Sequence, residues 1–208
     1  MAPPKLEGLA TRLNQSKPFV VVALGSSSTA GVGAAYSYTK VLEEALSETI
    51  PQVNFRVFNR GVAGDTVERV LLRIERDVLN LHPDLVIWQL GTNEVIQGVE
   101  LRTFRVQVEQ GIQRIRKRGA ELFLMDGQAY PDLGNSPAYA AFQRALSEIA
   151  HQNDLVLVPR FQLMKDLLAS GYTYTDLLAE DQFHPSTFMQ NCIGHYLAQM
   201  ISQLAKKP

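Results

Sequence analysis

The chain has 208 residues, and no run of Pro, Gly or Ser is long enough to act as a linker, so we expect a single domain over residues 1–208, with residues 1–17 as an N-terminal extension. The formal net charge is -1, and neither half carries a long block of one sign. This argues against a nucleic-acid or anionic-membrane partner. Cys192 is the single cysteine, which excludes an intramolecular disulfide and a multi-cysteine metal cluster.

The sequence contains no candidate for a membrane span, because no stretch approaches the ~20 apolar residues that a spanning helix needs. The first residues, Met1 to Lys5, lack the apolar core of a secretory leader. The chain as printed is therefore expected to be soluble. Cytoplasmic and exported origins both stay open, since a leader can be removed ahead of the printed start.

The first part of the chain alternates between short apolar runs and helical stripes. Residues 19–24 are continuously apolar, which is typical of a strand buried on both faces. Apolar residues then recur with helical spacing over 41–50, and an alternating strand is predicted at 53–58. A second helical stripe covers 67–78, with Asp65 as its expected N-cap.

The rest of the chain repeats this alternation. Ser136 and Pro137 form a cap followed by a first-turn proline, which predicts the start of a helix. Because strands and helices alternate throughout, the sequence predicts a three-layer α/β fold with a mostly parallel sheet. The further predicted strands are 85–90, 121–125 and 155–158, and the further helices are 101–115, 136–149, 161–169 and one from about 186.

Four short polar or glycine clusters lie near predicted strand ends. Three of them directly follow apolar runs, so in a parallel sheet they would gather along one edge, where binding sites form. The clusters are Gly25–Ser28, Gly61–Asp65, Gly91–Glu94 and Asp181–His184.

Ser27 is the candidate nucleophile, because it lies in the turn between the first strand and its helix. Gly25 and Gly31 let the backbone bend tightly there, and a helix N-terminus favours a developing negative charge. The alternative is a Ser-rich turn that only caps a helix.

Gly64 and Asn93 are the candidate oxyanion donors. Gly64 offers an unobstructed backbone N–H, and Asn93 offers a side-chain amide. Taken alone, the Gly61-x-x-Gly64 spacing is equally compatible with ordinary turn chemistry, and Asn93 after Gly91 is more typical of a turn than of a catalyst. Their joint placement after consecutive strands favours the oxyanion interpretation.

Asp181 and His184 are the candidate carboxylate–base pair. Their spacing lets one tight turn carry both side chains, with the carboxylate accepting from one ring N–H and the other ring nitrogen free to take a proton. The alternative is that both residues cap the last helix. A metal site is the weaker interpretation, because no third histidine or cysteine lies in a matching loop. His82, His151 and His195 are expected at the surface or in packing.

In this order along the chain, the four clusters resemble the blocks of the SGNH hydrolases, the GDSL-type esterases and lipases. The resemblance covers nearly the whole chain, from the first strand to the final helix. It implies a flavodoxin-like fold, with a five-stranded parallel sheet in the order 2-1-3-4-5 and helices on both faces. It implies that Ser27 is the nucleophile, His184 the general base and Asp181 its partner. The implied oxyanion hole consists of the Ser27 and Gly64 backbone N–H groups and the Asn93 amide.

The first cluster departs from the family name. It reads Gly25-Ser26-Ser27 where Gly-Asp-Ser is expected, so Ser26 can make a local hydrogen bond but brings no carboxylate. The sequence also lacks the Gly-x-Ser-x-Gly nucleophile elbow of the α/β-hydrolases, because Thr29 occupies the position of the second glycine.

The expected function is hydrolysis of carboxylic esters through an acyl-serine intermediate, with no cofactor and no metal. Short acyl or O-acetyl groups are favoured, because no long apolar segment is available as a lid. Aromatic residues near the loops after the fourth and fifth strands can stack on a sugar or aryl group, or they can simply pack those loops. These residues are Tyr130, Tyr139, Tyr172, Tyr174 and Phe183.

Other functions stay open at this point. An acyltransferase, a thioesterase or a lysophospholipase of the same family would use the same residues. A non-catalytic module that binds acylated glycans is the alternative from another class. The natural substrate, the oligomeric state and the compartment do not follow from the sequence.

Overall fold

The five predicted strands form one parallel sheet in the computed structural model, which describes residues 11–13, 17–132 and 136–205. The strand order is β2-β1-β3-β4-β5, so the predicted fold class and the order implied by the family resemblance are confirmed. The strands are β1 (Phe19–Gly25), β2 (Phe55–Gly61), β3 (Leu85–Gln89), β4 (Glu121–Met125) and β5 (Val156–Val158).

Helices cover both faces of the sheet. They are α1 (Ser27–Ala30), α2 (Tyr38–Thr49), α3 (Val67–Asp77), α4 (Thr92–Ile96), α5 (Leu101–Lys117), α6 (Pro137–Gln152), α7 (Arg160–Ala169), α8 (Tyr174–Leu177) and α9 (Thr187–Ala205), with a 3-10 turn at Leu79–Leu81. None of the helices in the described part of the chain combines the length and the apolar character that crossing a bilayer requires.

Two apolar cores lie on opposite sides of the sheet, because successive side chains of a strand point to opposite faces. Val21 and Ala23 of β1 pack with α2, α7 and α9. Val22 and Leu24 pack with α3, α5 and α6. Strand β1 is therefore covered on both sides, which explains its continuous apolar sequence.

The N-terminal extension expected over 1–17 is only partly described, because residues 1–10 and 14–16 lie outside the described residues. Leu13 is buried in the core that contains α2 and α9. Arg12 Nη1 donates a hydrogen bond of 3.0 Å to the Asp84 carbonyl, at the amino end of β3.

Two local predictions need correction. Strand β2 runs on to Gly61 instead of ending at residue 58, because its polar last residues pair with β1 up to the Gly25–Gly61 position. The N-cap of α3 is Thr66 and not Asp65. Asp65 instead forms an ion pair with Arg73, with 2.6 Å between Oδ2 and Nε. The predicted cap of α6 is confirmed, since the Ser136 side chain accepts from the Tyr139 N–H.

Helix α5 approaches the sheet closely where Gly111 faces Trp88. A Cβ atom at position 111 would lie 2.3 Å from Cη2 and 2.4 Å from Cζ3 of the fully buried indole. The ring is rigid and enclosed, so it cannot move aside without disturbing the core. The glycine therefore sets the distance between α5 and β3.

We expect Gly111→Ala to lower the free energy of unfolding by about 1–3 kcal/mol, as overpacked cores do. The sign of this change distinguishes overpacking from helix propensity, because at an exposed helix position the same substitution would stabilise the protein by ~1 kcal/mol. Urea denaturation measures the change, and Gln113→Ala on the exposed side of the same helix is the matched control. A Gly111→Ala variant more stable than the wild type would contradict this packing.

Candidate active site

The loops after β1 and β2 meet at the carboxyl edge of the sheet. Gly25 and Gly61 are register partners, and the Val62 N–H donates to the Gly25 carbonyl at 3.0 Å. A Cβ atom on Gly61 would lie 2.2 Å from the backbone nitrogen of Ala30 in α1. The second loop therefore packs directly against the turn that carries the candidate nucleophile.

Ser27 is the first residue of α1, with Ser26 as N-cap. It is buried, and its carbonyl accepts from the N–H groups of Gly31 and Val32. The Ser26 hydroxyl donates to Gln89 Oε1 at 3.0 Å, so it does make a hydrogen bond, but with a residue of β3 that lies 63 positions away and not with a local group. Gln89 Oε1 also accepts from the Ser26 backbone N–H at 3.0 Å. Both the backbone and the side chain of residue 26, the position of Asp in a Gly-Asp-Ser sequence, are therefore fixed by Gln89.

Gly64 and Asn93 are brought together across two loops. Gly64 has φ +78°, in the left-handed region that favours glycine. Asn93 lies in α4 and its Nδ2 donates to the carbonyl of Asp65 at 2.8 Å. Because a primary amide has two N–H groups, the second is still available to a ligand. Gln97 Nε2 donates to the Gly64 carbonyl at 3.0 Å and fixes that peptide as well.

Arg73 ties the second loop to the first. Its Nε lies 2.6 Å from Asp65 Oδ2, and its Nη2 donates to the Gly25 carbonyl at 3.2 Å. Both side chains of the pair are largely buried, with 10% of Arg73 and 6% of Asp65 exposed. The ion pair therefore orients the Asp65 peptide, whose carbonyl holds the Asn93 amide.

Glu94 is a site residue whose role the sequence reasoning missed. Its Oε1 accepts from the Val67 N–H at 2.7 Å and its Oε2 from the Gly91 N–H at 2.9 Å. Burial raises the pKa of this carboxyl, although the hydrogen bonds from backbone N–H groups act to lower it. Glu94 thus joins the starts of α3 and α4, the two loops that carry Gly64 and Asn93. The Gly91-x-x-Glu94 spacing is that of the acidic half of a capping box, and this signal could have found it.

Asp181 and His184 form the predicted pair. His184 Nδ1 lies 2.5 Å from Asp181 Oδ2, and Asp181 Oδ1 accepts from the backbone N–H groups of Phe183 and His184 at 3.0 and 2.9 Å. Gln182, between them, has φ +56°. This left-handed residue bends the loop so that both N–H groups reach one carboxylate oxygen.

The electrostatics of this loop favour an ionised Asp181. Partial burial raises the pKa of its carboxyl, but the hydrogen bonds from the His184 side chain and from the His184 and Phe183 backbone outweigh this, so the pKa lies below its usual value. An ionised carboxylate on Nδ1 keeps the proton on that nitrogen, and Nε2 of the neutral ring is then an acceptor.

The loop between α8 and α9, which carries the candidate base His184 and is called the base loop below, contacts the chain just after α1, at Gly33. A Cβ atom there would lie 2.8 Å from the Ala179 Cβ and 3.1 Å from the His184 Cβ. Within the described residues, no hydrogen bond joins Ser27 Oγ to His184, so the structure brings both residues to one edge without closing their contact. Such contacts are often long in unliganded enzymes and tighten when substrate binds.

The aromatic residues near the site mostly pack against one another. Tyr130 is buried, with its ring edge-on to Tyr139 and to Phe183. The Phe183 ring contacts His184 edge-on, with centroids 4.8 Å apart. Tyr172 is exposed and stacks on Phe188.

The remaining histidines lie away from this edge in the fold. His82 ends the 3-10 turn, His151 is in the last turn of α6 and His195 lies on α9. Across the ranges that the structure describes, no group of three or more His, Cys, Asp or Glu side chains is placed to hold a metal ion.

Comparison with known proteins assigns the chain to a family. Residues 1–207 match the family described as the Non-GDSL lipase-like family. The chain belongs to the Non-GDSL lipase-like family. The predicted resemblance to the SGNH hydrolases is thereby confirmed, and the family description agrees with the Gly25-Ser26-Ser27 sequence of the first cluster.

Relatives of this non-GDSL protein include several named esterases. It is 27% identical over 154 residues to esterase TesA of Pseudomonas aeruginosa, which covers 74% of this chain and 75% of the relative. It is 27% identical over 182 residues to an arylesterase of Vibrio mimicus, covering 86% of each chain.

The fold also matches solved structures. A crystal structure of an acetylxylan esterase from Geobacillus stearothermophilus superposes with a TM-score of 0.74 at 20% identity, covering 91% of this chain and 95% of the other. This likeness shows that the two proteins share their fold.

We expect Glu94→Ala to lower the free energy of unfolding by about 2–5 kcal/mol, because it leaves the buried N–H groups of Gly91 and Val67 without partners. Thermal and urea unfolding measure the loss. Glu68→Ala is the control, since Glu68 is an exposed glutamate in the first turn of α3 and should change stability by only a few tenths of a kcal/mol. Equal stability of the two variants would rule out the bridging role of Glu94.

Proposed function

We propose that this protein is a serine esterase that hydrolyses carboxylic esters of short acyl groups through an acyl-serine intermediate. Ester hydrolysis is the activity that its family membership and the esterase names of its relatives support. The observation that carries the mechanism is the Asp181–His184 pair, held beside the turn of Ser27 at the sheet edge where the Asn93 amide is also fixed.

The first half-reaction forms the acyl-enzyme. Ser27 Oγ attacks the ester carbonyl carbon while His184 Nε2 accepts the hydroxyl proton. The carbonyl oxygen becomes an oxyanion, stabilised by the N–H groups of Ser27 and Gly64 and the amide of Asn93. The intermediate collapses, the bond to the alcohol oxygen breaks, and that oxygen takes the proton from His184.

The second half-reaction repeats these steps with water. His184 Nε2 takes a proton from a water molecule, whose oxygen attacks the acyl carbon of the acyl-serine. The same donors stabilise the second oxyanion. When it collapses, the bond to Ser27 Oγ breaks, the serine recovers the proton, and the carboxylic acid leaves.

Asp181 keeps the imidazole in the productive tautomer during both half-reactions. Its Oδ2 accepts from Nδ1–H, while two backbone N–H groups fix its Oδ1, so the carboxylate cannot rotate away from the ring. As His184 becomes an imidazolium ion, the carboxylate stabilises the charge.

Comparison with the Geobacillus acetylxylan esterase supports these roles. Its catalytic mutants replace a serine, an aspartate and a histidine, and in that enzyme the aspartate precedes the histidine by three positions. Asp181 precedes His184 by the same interval. The name of that enzyme also supports an acetylated carbohydrate as the substrate class for this chain.

We expect Ser27→Ala and His184→Ala each to reduce kcat on p-nitrophenyl acetate by about 10⁵- to 10⁶-fold, as removal of a nucleophile or its base does. The measurement is turnover of p-nitrophenyl esters from acetate to palmitate. The wild-type rate is expected to fall as the acyl chain of the ester lengthens. Ser47→Ala, at an exposed serine on α2, is the matched control. Full activity in Ser27→Ala would exclude the acyl-serine mechanism.

We expect Asn93→Ala to lower kcat by ~10²- to 10³-fold, with a much smaller change in KM. The reason is that the bound substrate has a neutral carbonyl oxygen, and the negative charge that Asn93 stabilises develops only in the transition state. Initial rates on the acetate ester give both constants. Gln97→Ala is the comparison variant, since Gln97 holds the Gly64 carbonyl and is not itself proposed as an oxyanion donor. An Asn93→Ala variant that changed KM alone would assign Asn93 to substrate binding instead.

A further inference from the structure

Three buried glutamines hold the turn that carries Ser27. Gln89 Oε1 accepts from Ser26 and from the Thr29 hydroxyl, which lies 3.3 Å away. Gln190 Nε2 donates to the Ser28 carbonyl at 2.9 Å, and its Oε1 accepts from the Tyr38 N–H at 2.9 Å. Gln128 is the third, and it differs from the other two in what its far end contacts.

Gln128 connects the nucleophile turn to the base loop. Its Oε1 accepts from the Ser28 hydroxyl at 2.7 Å, and its Nε2 donates to the Phe183 carbonyl at 2.7 Å. Ser28 follows Ser27 and Phe183 precedes His184 in the sequence. The orientation of the amide is unambiguous, because the Phe183 carbonyl can only accept and must therefore face the NH₂ group.

The backbone of Gln128 is itself fixed. Its carbonyl accepts from the Tyr139 hydroxyl at 2.8 Å, and that hydroxyl lies 3.1 Å from Thr92 Oγ1. At Gly127 there is no room for a side chain, since a Cβ atom would lie 1.9 Å from the same hydroxyl oxygen. Gln128 has no exposed surface, so water does not compete for its amide.

We propose that Gln128 is a positioning residue that sets the separation between the Ser27 hydroxyl and the His184 ring. The inference rests on the proposed esterase function and extends it to a residue outside the four sequence clusters. Proton transfer needs the donor and acceptor atoms within about 2.6–3.2 Å. A displacement of 1 Å costs up to ~10²-fold in rate. A short, water-free bridge between the two loops limits how far the Ser27 turn and the His184 loop can move apart.

The bridge matters because the sheet does not supply this connection. The nucleophile turn follows β1, whereas the base loop lies between α8 and α9 and is held by the antiparallel Leu178–Pro185 bridge. Gly33 sets how closely the two loops approach, and the amide of Gln128 holds them at that distance.

The test is Gln128→Met, which keeps the length of the side chain and removes both hydrogen bonds. We expect kcat on p-nitrophenyl acetate to fall by about 10- to 100-fold, with KM changed by less than about threefold. In the double variant with His184→Ala, the Gln128 change should cause no further loss, because a base that is absent cannot be misplaced.

Gln190→Met is the matched control. Gln190 holds the Ser28 carbonyl from α9, and among the described residues its side chain makes no hydrogen bond to the base loop. Whatever loss it causes should therefore multiply with that of His184→Ala. Ser28→Ala is the second variant if Gln128→Met does not fold, because it removes only the hydroxyl at one end of the bridge and should reproduce the dependence on His184.

Two outcomes overturn the proposal in the folded variants, as judged by circular dichroism: an unchanged kcat in Gln128→Met, or losses that multiply with those of His184→Ala. Failure of the underlying function would look different. In that case the wild type and Ser27→Ala would have the same activity, and a fluorophosphonate probe would fail to label the wild-type serine.

Discussion

The carboxyl ends of β1, β2 and β3 stop at nearly the same level of the sheet, and the placement of the candidate nucleophile and oxyanion donors depends on this register. Gly25 lies opposite Gly61, and Leu24 lies opposite Trp88. Because both faces of the sheet are buried, a slip of one residue in a strand would turn its side chains into the wrong core. Packing of the two apolar cores therefore fixes the strand register, and the register fixes the level at which the loops with Ser27, Gly64 and Asn93 leave the sheet.

Buried side chains outside the proposed catalytic set then hold this alignment rigidly. Glu94 joins the starts of α3 and α4, and Arg73 joins the first and second loops. These groups lie at low exposure, where an unpaired charge or N–H would be costly and a paired one is strong. A preorganised set of donors stabilises an oxyanion without having to reorient during the reaction. The polar groups beneath the site are in this sense part of its electrostatics.

Much of this architecture could be predicted from the sequence, because its strongest signals are local. The apolar runs predicted all five strands, and the spacing of Asp181 and His184 predicted their pairing. What escaped prediction depends on distant partners. Strand β2 continues through polar residues because β1 offers them backbone partners, and Asp65 leaves the helix cap because Arg73 is close to it. Gln128 bonds to residues 100 and 55 positions away, and no local pattern marks such a residue.

Helix α9 contacts the segment from α1 to the start of α2, near the other end of the described chain. Gln190 binds Ser28 across 162 positions of the chain, and Asn191 donates to Tyr36 across 155. Protein synthesis delivers the N-terminal part first, at ~5–20 residues per second, so the candidate nucleophile leaves the ribosome many seconds before its base. During that interval, the nascent chain carries a serine without the partner that would activate it. The order of the chain thus keeps the proposed esterase inert until the segment with Asp181 and His184 has been made.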